Sequence, residues 1–301
     1  EVNRLVEVLH SIGVHVKWLP GNDLEIKPPA ELNLENMNKE AARKTRSVIM
    51  LFGPLIHLFK EFQIPYAGGC KLGTRSIRAH AVALEELGVQ VVAKTGYYDV
   101  DASAKQASDI VMYETSDTAT ENMLMAAARF EKPITIHVAS ANYMVQDLCY
   151  FLKKLGVKID GIGTSTLTVT GIKDIKKNVS YAPSEDPIEA MTFIAAAIVT
   201  DSEITVTRSP IDFLRLELLK LKHMGLSFKV GEIYKADNGY TELVDITIHK
   251  HNGTLTALEY KVHANPHPGI NIDNLTLFGA IAAVAKGRTL IHDWFYEARA
   301  I

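Results

Sequence analysis

Leu84-Glu85-Glu86-Leu87-Gly88-Val89-Gln90-Val91 is the stretch that decides how this chain is read. Leu84 and Leu87 have helical spacing and share one face. Gly88 follows, the residue type that takes the left-handed position just past a helix end. Val89-Gln90-Val91 then alternates apolar and polar, the period of a half-buried strand. The stretch spells helix, stop, strand. The same wording recurs at 9–16 (LHSIGVHV), 152–159 (LKKLGVKI) and 221–228 (LKHMGLSF), with glycines at 13, 156 and 225. Self-similarity at a fixed period marks a repeated supersecondary unit.

Working outward, each unit holds a second helix, expected over 45–59, 121–130, 188–199 and 274–285. Runs such as Met125-Ala126-Ala127-Ala128 suit closely packed buried helices. Each second helix leads into a strand, expected over 64–66, 134–138, 204–207 and 289–294. The fold class is therefore α/β, a globular protein of βαβ-type units of about 70 residues and not an open solenoid. Two prolines and polar residues interrupt the pattern over 179–187, the candidate boundary. The expected domains are 1–182 and 183–301, the second incomplete. Asp237-Asn238-Gly239 reads as a hairpin turn.

A chain of 301 residues with 47% hydrophobic and 22% charged residues is an ordinary soluble globular protein. A net charge of −3 gives no global basic field, so bulk binding to nucleic acid is not expected. Two cysteines cannot build a disulfide framework and fit a reducing cytoplasm. No apolar run approaches the roughly 18 residues that span a bilayer. The chain opens in a helical pattern without an initiator Met and stops abruptly at Ile301, so the native protein is expected to extend past both ends.

The chemistry-bearing stretch is Ala67-Gly68-Gly69-Cys70-Lys71-Leu72-Gly73-Thr74-Arg75. Three glycines bracket one thiol, with cations beside it. Positive neighbours lower a thiol's pKa, and the thiolate is the reactive form. The loop suits acid/base or covalent chemistry on an anionic substrate; a surface loop with an incidental cysteine is the plainer alternative.

Residues 46–55 (RSVIMLFGPL), the cysteine loop and the following His80 together resemble the UDP-N-acetylglucosamine 1-carboxyvinyltransferases, an enolpyruvyl transferase family. Residues 266–273 (PHPGINID) and Tyr296-Glu297-Ala298-Arg299 match in the same order. The resemblance implies two domains, each an inside-out α/β barrel of three similar units. It implies transfer of the enolpyruvyl group of phosphoenolpyruvate to the sugar 3′-hydroxyl of UDP-N-acetylglucosamine, with no metal or organic cofactor. Cys70 corresponds to the family's proton donor and fosfomycin target, and Asp273 to the general base candidate beside the acceptor hydroxyl. Arg46, Arg75 and Arg299 match arginines of the anion site, where a planar fork pairs with phosphate or carboxylate. Ser116 falls in the nucleotide-binding loop.

Several positions depart from that pattern. Ser76-Ile77-Arg78 stand where the family carries Pro-x-Asp, so an acid has become a base. Glu114 and Asp117 flank Ser116 and would repel a diphosphate. Asp186-Pro187-Ile188-Glu189-Ala190-Met191 replaces Asp-Arg-Ile-Glu-Thr-Gly, and Asn271-Ile272 replaces the Pro-Thr before the acid. The related shikimate-pathway transferase shares the cosubstrate but lacks the cysteine loop. A non-catalytic nucleotide-sugar-binding homologue, a transferase with another acceptor and a repeat scaffold are the alternatives. Asp273 could also serve as a helix cap, and Arg46 as a solvated helix residue. Cys149 lies in an apolar helical run and reads as core. His249, His251, His263 and His267 carry no metal-ligand motif.

Overall fold

The computed structural model describes residues 2–68, 76–258 and 260–295. The chain forms two compact units. One comprises 1–139, 156–161 and 165–175, and the other 140–155, 162–164 and 176–301.

In the first unit, α1 (Val2–Ser11) ends at Gly13, whose φ is 94°, and leads into β1 (His15–Trp18). β1 pairs antiparallel with β2 (Leu24–Lys27). The Asn38 side chain caps α2 (Lys39–Ala42), accepting the Glu40 and Ala41 N–H groups. The expected continuous helix over 45–59 is broken here. A 3₁₀ segment, Ser47–Leu51, meets a single turn, α3 (Phe52–Leu55). Gly53 is a poor helix former, and Pro54 has no N–H and clashes with the turn before it.

β3 (Glu61–Pro65) follows, then α4 (Arg78–Glu86), Gly88 at φ 76°, β4 (Gln90–Lys94) and β5 (Tyr97–Asp101). The sheet order is β3-β5-β4, all antiparallel. β6 (Ile110–Val111), α5 (Asp117–Ala127) and β7 (Ile134–His137) form a βαβ unit with parallel strands. α6 (Tyr143–Leu155) stops at Gly156, φ 111°, before β8 (Lys158–Asp160) and β9 (Thr166–Thr170). The order is β6-β7-β9-β8.

α6 belongs to the second unit, although β8 and β9 return to the first. Its rings explain this. Tyr150 stacks on Tyr240 at 4.0 Å, Tyr143 meets Phe213 edge-on at 5.9 Å, and Phe151 packs on Tyr181 at 5.6 Å. Such pairs stabilise beyond their buried area.

In the second unit, α7 (Pro187–Val199), β10 (Ile204–Pro210), α8 (Arg215–His223), Gly225 at φ 90°, β11 (Phe228–Val230), β12 (Tyr234–Lys235) and β13 (Glu242–Ile248) repeat the plan as β10-β13-β11. The expected 237–239 turn joins β12 to β13, with Gly239 at φ 79° and the Ala236 N–H bonded to the Thr241 carbonyl. A second parallel pair closes the described chain: β14 (Val262–His263), α9 (Asn274–Val284) and β15 (Ile291–His292), shorter than the expected strand over 289–294. α7 and α9 pack together over Met191, Ile194, Ile198, Leu218 and Phe278, all buried. Each such side chain contributes about 1.5–3 kcal/mol of burial. Cys149 is buried in this unit, as expected for core. No helix among the described residues is long and apolar enough to cross a membrane.

Candidate functional site

Gly68, in the first part of the glycine-rich stretch, and Ser76, just past it, are both tied to one place in the first unit. The Gly68 N–H bonds to the carbonyls of Ala42 and Thr45, each at 3.2 Å. Arg46, half-buried at the start of the 3₁₀ segment, donates from Nη2 to the Ser76 carbonyl at 2.8 Å. One short backbone stretch thus anchors the loop's two flanks and carries a candidate anion-site arginine. Cys70 and Arg75, on the loop itself, and Arg299 lie outside the described residues.

Beside Arg46 a buried polar network links α4 to α5. The Asn122 Oδ1 accepts the Gly53 N–H at 2.9 Å, and its Nδ2 donates to the Ile49 carbonyl at 2.9 Å. Those two backbone groups fix which end of the amide is nitrogen. The remaining Nδ2 hydrogen meets His80 Nδ1 at 2.9 Å, so that ring nitrogen is an acceptor. Nε2 then carries the ring proton, facing Thr118 Oγ1 at 3.4 Å. His80 is 3% exposed, and burial followed by the Arg46 charge pushes its pKa down to about 4.

Thr118 connects this network to the next predicted residue. Ser116 caps α5, its side chain accepting the Ala119 N–H at 3.4 Å. Ser116 thus opens the helix whose Thr118 reaches His80, the ring that feels the Arg46 charge. Arg78, the base in an acidic position, lies over the exposed Tyr113 ring at 4.9 Å. Along α5, burial and then the Asp117 charge raise Glu121 to about 7. The first unit also holds a cavity of about 960 Å³, lined by Arg43, Lys39, Glu61 and Tyr97, whose wall includes neither Arg46 nor Ser116. Volume alone does not pick out the site.

Asp273 stands in the second unit, at the start of α9. A turn closes before it, with the Gly269 N–H on the Pro266 carbonyl at 2.9 Å and the Asn265 N–H on the Ile270 carbonyl at 3.1 Å. The Asp273 side chain is exposed and makes no capping bond to α9. Its own N–H is held by Asn271 Oδ1 at 2.9 Å. Asp273 therefore sits at the N-cap position of α9 without a side-chain capping hydrogen bond.

Sequence reasoning passed over Asn122 and Glu217. Both are buried, Asn122 at 0% and Glu217 at 2% exposure, and each sits next to apolar residues, Met123 and Leu124 or Leu216 and Leu218, which is the signal that was available.

Comparison with known proteins gives the family of the chain. The family model for EPSP synthase (3-phosphoshikimate 1-carboxyvinyltransferase) matches residues 1–298. The chain is 31% identical to a UDP-N-acetylglucosamine 1-carboxyvinyltransferase of Campylobacter hominis, over 99% of this chain and 68% of that protein. It is 29% identical to one of Hydrogenovibrio crunogenus with the same coverage. Among solved structures it resembles the enolpyruvyl transferase NikO from Streptomyces tendae, with a TM-score of 0.76 at 18% identity over 97% of this chain and 66% of that one. It resembles an EPSP synthase from Acinetobacter baumannii at a TM-score of 0.60 and 17% identity, over 96% and 64%. The chain thus spans about two thirds of the length of these relatives, and the fold they share is the two-domain α/β fold of enolpyruvyl transferases.

Proposed function

Because the chain belongs to the EPSP synthase family of enolpyruvyl transferases, we propose that the protein transfers the enolpyruvyl group of phosphoenolpyruvate to the 3′-hydroxyl of UDP-N-acetylglucosamine and releases phosphate. The supporting observation is the similarity to UDP-N-acetylglucosamine 1-carboxyvinyltransferases over nearly the whole chain. The bonds of Gly68 to the Ala42 and Thr45 carbonyls and of Arg46 to the Ser76 carbonyl support the reading, because they hold described residues on either side of the cysteine beside a candidate anion-site arginine.

The chemistry follows from the groups. The Cys70 thiol gives its proton to C3 of phosphoenolpyruvate while the sugar oxygen adds to C2. Asp273 takes the hydroxyl proton. The Cys70 thiolate then takes a proton back from C3 of the resulting tetrahedral ketal as phosphate leaves C2 with the proton held by Asp273, which restores the double bond and both residues. Arg46, Arg75 and Arg299 hold phosphate and carboxylate through two-point contacts, and Ser116 at the start of α5 takes part in holding the nucleotide. No step calls for a metal or organic cofactor. This chemistry takes place in the cytoplasm, where both substrates are small soluble anions.

The reactive thiol is tested by intact-mass analysis of the full-length protein with fosfomycin, whose epoxide opens as the sulfur–carbon bond forms. One adduct is expected, faster with UDP-N-acetylglucosamine and absent from Cys70→Ala. Cys149 is buried and does not compete. An adduct that survives Cys70→Ala would contradict the assignment, and labelling indifferent to the sugar nucleotide would contradict the acceptor.

A further inference from the structure

α8 is a leucine-rich helix, yet it carries a carboxylate at 2% exposure, Glu217. Burying an acid among apolar side chains is costly unless the group is hydrogen-bonded. Its bonds run to one place. Glu217 Oε1 accepts the Asn271 N–H at 3.3 Å and the Asn274 Nδ2 at 3.0 Å. Asn271 Oδ1 in turn holds the Asp273 N–H at 2.9 Å, and the Asn274 N–H returns to the Asn271 carbonyl at 3.1 Å. The residues that flank Asp273 are tied to a single buried oxygen.

The departure at 271–272 gains a physical sense. A proline at 271 would have no N–H for Glu217 and no side-chain acceptor for Asp273. With asparagine there, the turn is held by hydrogen bonds in place of a fixed ring. We propose that Glu217 is the positioning residue for Asp273, acting through Asn271 and Asn274. The assignment rests on the reading of Asp273 as the base. Glu217 touches no substrate; it sets the backbone from which the Asp273 carboxylate reaches.

The test is a double-mutant cycle on the full-length protein, with kcat and KM for both substrates and thermal melting measured together. Glu217→Leu removes the acceptor and is expected to lower kcat by about tenfold to a hundredfold, the effect of a misplaced reacting group. KM for phosphoenolpyruvate stays within about twofold, because ground-state binding is untouched. Glu217→Gln keeps a carbonyl acceptor and restores kcat. In an Asp273→Asn background Glu217→Leu adds no further loss. Asn271→Ala keeps the N–H to Glu217 but drops the bond to Asp273; this half-buried loop variant reproduces the kcat loss even if Glu217→Leu fails to fold.

Losses from Glu217→Leu and Asp273→Asn that multiply would overturn the positioning role while leaving the base intact. So would a lower melting temperature with unchanged kcat. Near-normal turnover in Asp273→Asn alone would overturn the base assignment, and the positioning role with it.

Discussion

Asn122 can face His80 in one orientation, because the Gly53 N–H and the Ile49 carbonyl consume its two ends. The amide hydrogen left over points at Nδ1, and a second ring proton there would meet a donor head-on. Geometry and burial thus agree that His80 stays neutral, titrating near 4 against an ordinary value of 6.5. A histidine with a lowered pKa gives stability that is complete above pH 6.5 and is lost as pH falls through 4. The displacement corresponds to about 3 kcal/mol at the acid end. Glu121 acts the other way: raised from 4.5 to about 7, it stabilises most below pH 4.5, and that contribution fades as pH rises through 7. His80→Gln removes the acid penalty, and the cost of rebuilding its contacts with Asn122 and Thr118 is the same at every pH. Thermal melting from pH 7 to pH 4 is expected to show the variant gaining steadily on the wild type. A gap that stays constant with pH would show that His80 carries no such penalty.

At the scale of elements, the helix–glycine–strand joints were legible because their cause is local. Leucine spacing, a glycine at positive φ and an alternating strand occupy consecutive residues. The break within 45–59 was written in Gly53-Pro54, but the apolar spacing on either side overrode it in the reading. The reason a glycine stands at 53 was not legible at all. A Cβ there would meet the Asn122 backbone oxygen at 2.3 Å, a contact with a residue far along the chain. α3 and α5 pack at that point. Gly53→Ala is therefore expected to lose about 1–3 kcal/mol or more, seen as a lower melting temperature, and to disturb the Asn122–His80 pair. A melting temperature unchanged by Gly53→Ala would mean that α3 and α5 do not need this close approach. Of the candidate site, Cys70, Arg46 and Asp273 were proposed from motifs and their order in the chain, and Cys70 lies outside the described residues. Glu217 was hidden because its partners sit 54 and 57 residues away.

At the scale of the whole molecule, the repeat organises the chain more strictly than any single cut between halves. Strand, helix, glycine, strand, strand recurs as β3-β5-β4, β7-β9-β8 and β10-β13-β11. The division between the units follows packing, and aromatic partners draw α6 into the second unit ahead of its own strands. Family membership follows from this architecture and the similarity to known sequences together, whereas the acceptor is the part of the proposed function that needs a direct test. Incubating the full-length protein with phosphoenolpyruvate and either UDP-N-acetylglucosamine or shikimate 3-phosphate, with phosphate and product mass read together, tests the acceptor directly. Phosphate release matched by enolpyruvyl-UDP-N-acetylglucosamine, with no product from shikimate 3-phosphate, is the expected result. Sugar-nucleotide binding without phosphate release, or product from shikimate 3-phosphate instead, would contradict it.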